Sequence, residues 1–237
     1  MNNSKSIDII YEHHPMAEVL LKNYHLLPVI NRFGLKLGFG DATVDEVCRI
    51  HNIDTDFFLI IINTFHNENY FPQHEMQRFD PLKVVDYLQK THDYYINIVL
   101  PRMEEVLEKL INSCRSNCEK MELIRKFYQT YKQELTAHID DEEDNVFPYI
   151  KKLIKNRKII PGYSIHAFEK EHSNVDMKLN DLTMLFLKYL DPVYSSTYCN
   201  DFLIMLLRFE KDLKNHARIE DYVLVPTVEA IERKITR

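Results

Sequence analysis

Glycine is scarce, with four residues in 237. Together with only nine prolines, that scarcity argues against a β-sandwich, a barrel or a glycine-rich nucleotide-binding α/β protein. Neither GxGxxG nor GxxxxGK[ST] occurs, so the usual backbone cradles for phosphate are missing. Long apolar runs are missing too. The longest, Phe57 to Ile62 and Phe202 to Leu207, are far too short to cross a bilayer. The opening MNNSKSIDIIYEHHP mixes charged with apolar residues and holds no continuous secretory core. Basic charge is outnumbered, 30 Lys and Arg against 36 Asp and Glu, for a net charge of −6. That balance excludes a surface built for nucleic acid or an anionic membrane. Cysteines are few as well. Cys48, Cys114, Cys118 and Cys199 show no CxxC spacing and read as reduced thiols, although Cys114 and Cys118 could share one helical face. These absences together predict a soluble, cytoplasmic protein.

What remains is 45% hydrophobic and rich in Leu, Lys, Glu and Ile, a composition that suits long helices. A polar stretch broken by proline, Asn67 to Pro81, divides the chain. We place the boundary so that residues 1–76 form a small helical domain and residues 77–237 a larger one. In the smaller part, Thr43 and Glu46 have capping-box spacing, so a short helix should run through Cys48. Asp54 opens another, with Phe57, Phe58, Ile61, Ile62 and Phe65 at helical intervals. Between Phe33 and Gly40 lie three of the four glycines, which predicts a loop. The larger part carries four amphipathic patterns, near Leu82 to Asn112, Glu119 to Asn156, Tyr163 to Leu190 and Ser196 to Lys234. Short breaks join them. The expected fold is all-α, an antiparallel up-down-up-down four-helix bundle behind a small helical N-terminal domain.

Eleven histidines are the unusual part of the composition. The second long helix reads His138-x3-Glu142-x5-Pro148, and the fourth reads His216-x3-Glu220-x5-Pro226. A four-residue step turns roughly 40° around a helix, so each His and its Glu share a face. With nineteen Glu and eleven His, about one His-x3-Glu pair is expected by chance, and three occur. His14 with Glu18 is taken as the accident. Adding the proline lowers the chance expectation to about 0.03, against two observed. The other helices offer His92 and His172, which precede the paired histidines by 46 and 44 residues. Four imidazoles and two carboxylates exceed the needs of one tetrahedral zinc and suit two ions bridged by both carboxylates. Iron or manganese fits these donors, with zinc also compatible. Oxygen-activating di-iron bundles use four carboxylates and two histidines. The reverse ratio here favours reversible chemistry between the +2 and +3 states. His13, His14, His25, His51, His66, His74 and His166 lack a matched partner and are read as structural. Pro148 and Pro226 each lack a backbone donor, which frees carbonyls near Asp144 and Tyr222, so they either bend the helix or mark its end.

At these motifs (HDYY at His92, HIDDEEDNVFP at His138, EH at His172 and HARIEDYVLVP at His216) the sequence resembles hemerythrin-like HHE domains. More narrowly it resembles the repair-of-iron-centres proteins. The likeness is specific from Leu82 to Arg237. It is looser over the N-terminal region, where VLLKNY, ATVDEVC and the stretch around Ile53-Asp54 and Phe58-Leu59 look like the helical domain preceding the bundle in that family. The resemblance implies a non-haem di-iron centre held by His92, His138, Glu142, His172, His216 and Glu220, with Glu142 and Glu220 bridging. It also implies that Glu134 and Glu171 supply carboxylates near a solvent path.

The resemblance further implies a role in restoring iron–sulfur clusters damaged by nitric oxide or oxidants, by iron donation or by nitric oxide chemistry at the metals. Damaged iron–sulfur proteins and the gases nitric oxide and O2 would be the partners, and a homodimer is left open. No nucleophile–base arrangement is present, so no side chain is assigned as catalytic and any chemistry belongs to the metals. The chain departs from the family in one respect. The adjacent cysteines usual in the N-terminal domain are absent from the Phe33 to Gly40 loop, and Cys48 falls later, in a predicted helix. A module that binds O2 or nitric oxide reversibly, without turnover, is the rival reading, and an interaction protein that uses no metal is a third.

Overall fold

The computed structural model describes residues 8–114, 119–159, 165, 173–190 and 194–236, leaving out the side chains at 173–177 and 189. Among the described residues the chain is helical, with an isolated β-bridge between Pro15 and Thr43. No described helix is long and apolar enough to cross a membrane. The chain forms two compact units, Met1–Tyr87 and Leu88–Arg237.

The first unit holds short helices α1 (Met16–Lys22), α2 (Leu27–Arg32), α3 (Val44–Ile50), α4 (Thr55–His66) and α5 (Gln73–Met76). The capping box expected at Thr43 forms in full, the Thr43 side chain accepting from Glu46 N–H and the Glu46 carboxylate from Thr43 N–H. Asp54 caps α4 by accepting from Phe57 N–H at 3.1 Å. The glycine-bearing stretch is a loop, and Gly34 and Gly38 take φ of 76° and 114°, the region that favours glycine. Cys48 is buried in α3, and burial pushes its thiol up to about 11, which makes it unreactive. The helix α6 (Pro81–Tyr94) begins in this unit. Its Tyr87 hydroxyl accepts from Arg32 Nη1 at 3.2 Å, and its ring packs beside Phe33. Those contacts place the compact division inside α6, eleven residues past the boundary drawn from the polar linker.

Among the described residues the second unit consists of four rods. The first is α6, a π-helical turn at Tyr95–Val99, and α7 (Leu100–Asn112). The second is α8 (Glu119–Asp141), a π-helical turn at Glu142–Val146, and α9 (Phe147–Asn156). The third is α10 (Ser173–Tyr189), and the fourth is α11 (Ser196–Ile219), a π-helical turn at Glu220–Leu224, and α12 (Val225–Thr236). Three of these spans agree with the amphipathic patterns. The fourth pattern, opening at Tyr163, can be followed only from Ser173, because 160–164 and 166–172 lie outside the described residues. Cys118 lies outside them as well, and Cys114 sits past the end of α7.

The rods form a ring in which α7 neighbours α8 and α11, and α10 neighbours the same two. Ser195 N–H, at the start of the fourth rod, donates to Ser113 Oγ at the end of the first, at 3.0 Å. The two rods therefore run in opposite directions. The core between them is built at helical intervals: Met103, Leu107 and Leu110; Tyr128, Tyr131 and Leu135; Leu179, Leu182 and Phe186; Phe202, Leu206 and Phe209. Each such side chain contributes about 1.5–3 kcal/mol through burial, which holds the rods in register.

Candidate metal centre

The prolines create the local geometry. Pro148 has no N–H to give and its ring crowds the carbonyl four residues back. The helix does not end there. Instead, the hydrogen-bond ladder slips by one residue, and Phe147 N–H bonds to Glu142 O, five residues back. Val225 N–H bonds to Glu220 O in the same way ahead of Pro226, and Leu100 N–H to Tyr95 O ahead of Pro101. The expected alternative, that the prolines mark helix ends, is thereby corrected, since α9 and α12 continue beyond them. Each π turn opens on the residue six positions before its proline, and in two of the three that residue is a glutamate.

Those glutamates point inward. Four side chains, His92, Glu142, His216 and Glu220, offer donor atoms that all lie within 4.8 Å of one another. Their residues are 2%, 0%, 4% and 1% exposed, so the cluster is buried. His92 Nε2 lies 2.9 Å from Glu142 Oε2 and 3.9 Å from Glu220 Oε1. His216 Nε2 lies 2.9 Å from Glu220 Oε1 and 3.1 Å from His92 Nε2. His138, one turn before Glu142, brings its Nε2 to 3.2 Å from Glu142 Oε1. Of the six residues read as ligands, four converge and His138 joins them through Glu142. His172 lies outside the described residues, and so does Glu171. Glu134 is partly exposed and pairs with Lys178 on α10.

Electrostatics couple the cluster to its surroundings. Burial works against protonation of His92, but hydrogen bonds to the Glu142 and Glu143 carboxylates and the charge of Glu220 outweigh it. The metal-free imidazole is pushed up to about 9. Burial raises the Glu143 carboxyl while hydrogen bonds from His92 and Gln89 lower it, and the net result is below its ordinary value. The walls are aromatic. Phe147 stacks on the His92 ring with centroids 5.4 Å apart, and Tyr95 meets the His216 ring edge-on at 5.6 Å. The Tyr95 hydroxyl donates to Asp212 Oδ1 at 2.7 Å.

A metal cation fits this donor set. Two carboxylates buried in a protein core cost several kcal/mol each unless positive charge meets them. Here they converge on imidazole nitrogens that can serve as ligands once deprotonated. Nitrogen and oxygen donors of this kind suit iron, manganese and zinc.

Sequence reasoning missed four residues around the site. Glu143 follows Glu142 directly, and the doubled glutamate was its signal. Gln89 lies one turn before His92. Pro101, nine residues after His92, echoes the prolines ten residues after His138 and His216. Tyr95 occupies, ahead of Pro101, the place that Glu142 and Glu220 hold ahead of theirs. Among the histidines read as structural, His66 is held by Asn23 at 3.0 Å and Asp8 at 3.4 Å, and His13 and His14 group with Tyr11. His166 lies outside the described residues.

A bundle whose rods aim paired His and Glu at one buried point defines a cation-binding helical domain. The model of the hemerythrin HHE cation-binding domain matches residues 83–228, and the chain belongs to that family. The chain is also similar to the iron–sulfur cluster repair protein ScdA of Staphylococcus haemolyticus (strain JCSC1435). The two are 18% identical over 189 residues, covering 78% of this chain and 83% of that protein.

Proposed function

We propose that the chain is a non-haem di-iron protein of the iron-centre-repair type, acting on iron–sulfur clusters damaged by nitric oxide or oxidants. The observation that carries the reading is the buried convergence of two His-x3-Glu pairs with His92. The similarity to ScdA favours repair over simple gas binding. It spans 78% of the chain, more than the second unit alone provides, so it reaches into the first unit. Two irons, once bound, would supply one-electron chemistry between the +2 and +3 states and a position for a diatomic ligand. The chain's own groups do the rest. His92, His138, His172 and His216 would donate nitrogen to the metals and Glu142 and Glu220 carboxylate oxygen, with the Phe147 and Tyr95 rings packed against His92 and His216. Manganese or zinc could replace iron in the same donors. In this reading the protein works in the cytoplasm. With its single cysteine buried in α3, the first unit serves docking or dimerisation rather than thiol chemistry.

The test is anaerobic reconstitution with iron(II) followed by metal analysis, which should give about two irons per chain. A much lower content rejects the reading. Nitric oxide or O2 added to the reduced protein then separates two outcomes. Iron release or nitrous oxide formation supports repair chemistry, whereas a stable and reversible adduct supports the gas-binding alternative.

A further inference from the structure

Consecutive carboxylates grip both nitrogens of one imidazole. Glu142 Oε2 lies 2.9 Å from His92 Nε2, and Glu143 Oε1 lies 2.8 Å from His92 Nδ1. Neighbouring side chains on an α-helix diverge by about 100°, and both carboxylates sit in the widened turn ahead of Pro148. Glu143 is itself held. Gln89 Nε2 donates to its other oxygen, Oε2, and Lys151 Nζ donates to Gln89 Oε1 at 2.7 Å. A cation, an amide and a carboxylate thus form a chain ending on the outer face of His92. His216 is arranged differently. Its Nδ1 is buried and has no hydrogen-bond partner among the described residues.

We propose that Glu143 is a positioning residue for the metal centre, keeping the proton of His92 on Nδ1 so that the Nε2 lone pair faces Glu142, Glu220 and His216. This rests on the metal-binding reading above. An acceptor on the outer nitrogen fixes the tautomer and ring orientation of a ligating histidine and raises its donor strength. Gln89 and Lys151 act one step further out by fixing the carboxylate. Among the described residues His216 lacks this support, so the two histidines differ in what stands behind their outer nitrogen.

The test compares wild type with Glu143→Ala and Glu143→Gln, using zinc as a diamagnetic probe and iron(II) under argon. Expected results are a 10–100-fold weaker zinc and iron(II) affinity for Glu143→Ala, with unchanged metal content at saturation. Glu143→Gln, which keeps an acceptor oxygen and the shape of the side chain, should recover part of that loss. In 15N-histidine NMR of the zinc-loaded proteins, His92 should carry its proton on Nδ1 in wild type and lose that single signature in Glu143→Ala. A merely structural carboxylate would alter melting temperature but not this signature. Equal affinity and an unchanged His92 signature in both variants would overturn the proposal while leaving wild-type metal binding intact. Wild type that takes up no metal overturns the underlying reading and this one with it.

Discussion

Replacing Glu220 with Gln separates a carboxylate kept for a metal from one kept for the fold. Glu220 is 1% exposed, and its Oε1 lies 2.9 Å from His216 Nε2. Glutamine has nearly the same shape, so packing against the π turn is retained and only the charge is lost. If the carboxylate existed to pair with His216, removing it would cost about 3–5 kcal/mol, the penalty for breaking a buried ion pair. For a unit of this size, each kcal/mol moves the melting temperature by about 2–4 °C, so the metal-free variant would melt roughly 6–20 °C lower. If it waits for a cation, the metal-free fold already bears the desolvation of an anion, and Gln relieves that burden. The metal-free melting temperature should then stay within about 4 °C of wild type. The difference emerges on adding metal. Saturation at about 100 times the dissociation constant stabilises a one-site protein by about 2.7 kcal/mol, or roughly 5–10 °C here. Wild type should show that rise and Glu220→Gln should lose most of it. The assay is calorimetry, with chelator in one arm and zinc or anaerobic iron(II) in the other. A variant that melts far below wild type without metal, yet keeps the metal-dependent rise, refutes the reasoning.

Two further outcomes are expected. His92 is raised from 6.5 to about 9 in the folded, metal-free protein. Its contribution is therefore complete below about pH 6.5 and fades as pH rises through about 9, a loss on the order of 3 kcal/mol. Metal-free protein should accordingly become easier to unfold with urea between those limits. A flat profile contradicts the grip of Glu142 and Glu143 on His92. Changing Tyr95 to Phe removes the buried hydroxyl that donates to Asp212 while leaving the ring against His216. A cost of about 1–3 kcal/mol in urea unfolding is expected, with metal content unchanged. No loss of stability would mean that the hydroxyl contributes nothing net.

Much of this architecture was legible because it follows register. The rods recur at helical spacing, so α8 and α11 and their continuations end where the apolar stripes and polar breaks indicate. His138 with Glu142, and His216 with Glu220, could be paired from spacing because four residues make about one turn. Residues that act across rods leave no such trace. Glu143 is one position from Glu142 and would be assigned to a different face of an ideal helix. Only the slipped ladder ahead of Pro148 and the approach of α6 set it against His92. Glu134 shows the same limit in reverse. The resemblance set it near a solvent path, and the structure pairs it with Lys178 from a separate rod, a contact that spacing along one helix does not show. The division inside α6 was likewise hidden, because it depends on Tyr87 meeting Arg32 and Phe33 rather than on composition.

The slipped ladders have a consequence for what changes the protein can tolerate. A π turn is a counted insertion, one residue longer than the α-helix on either side requires. Deleting any one residue between 143 and 146 would let the ladder close at ordinary pitch with the Phe147 N–H still on Glu142 O, so the rod beyond would keep its face while the residues inside the turn, Glu143 among them, would be re-aimed by up to about 100°. Segment length there is guarded together with its two glutamates, and relatives of this chain should vary at 144–146 more readily than in the number of positions the turn contains.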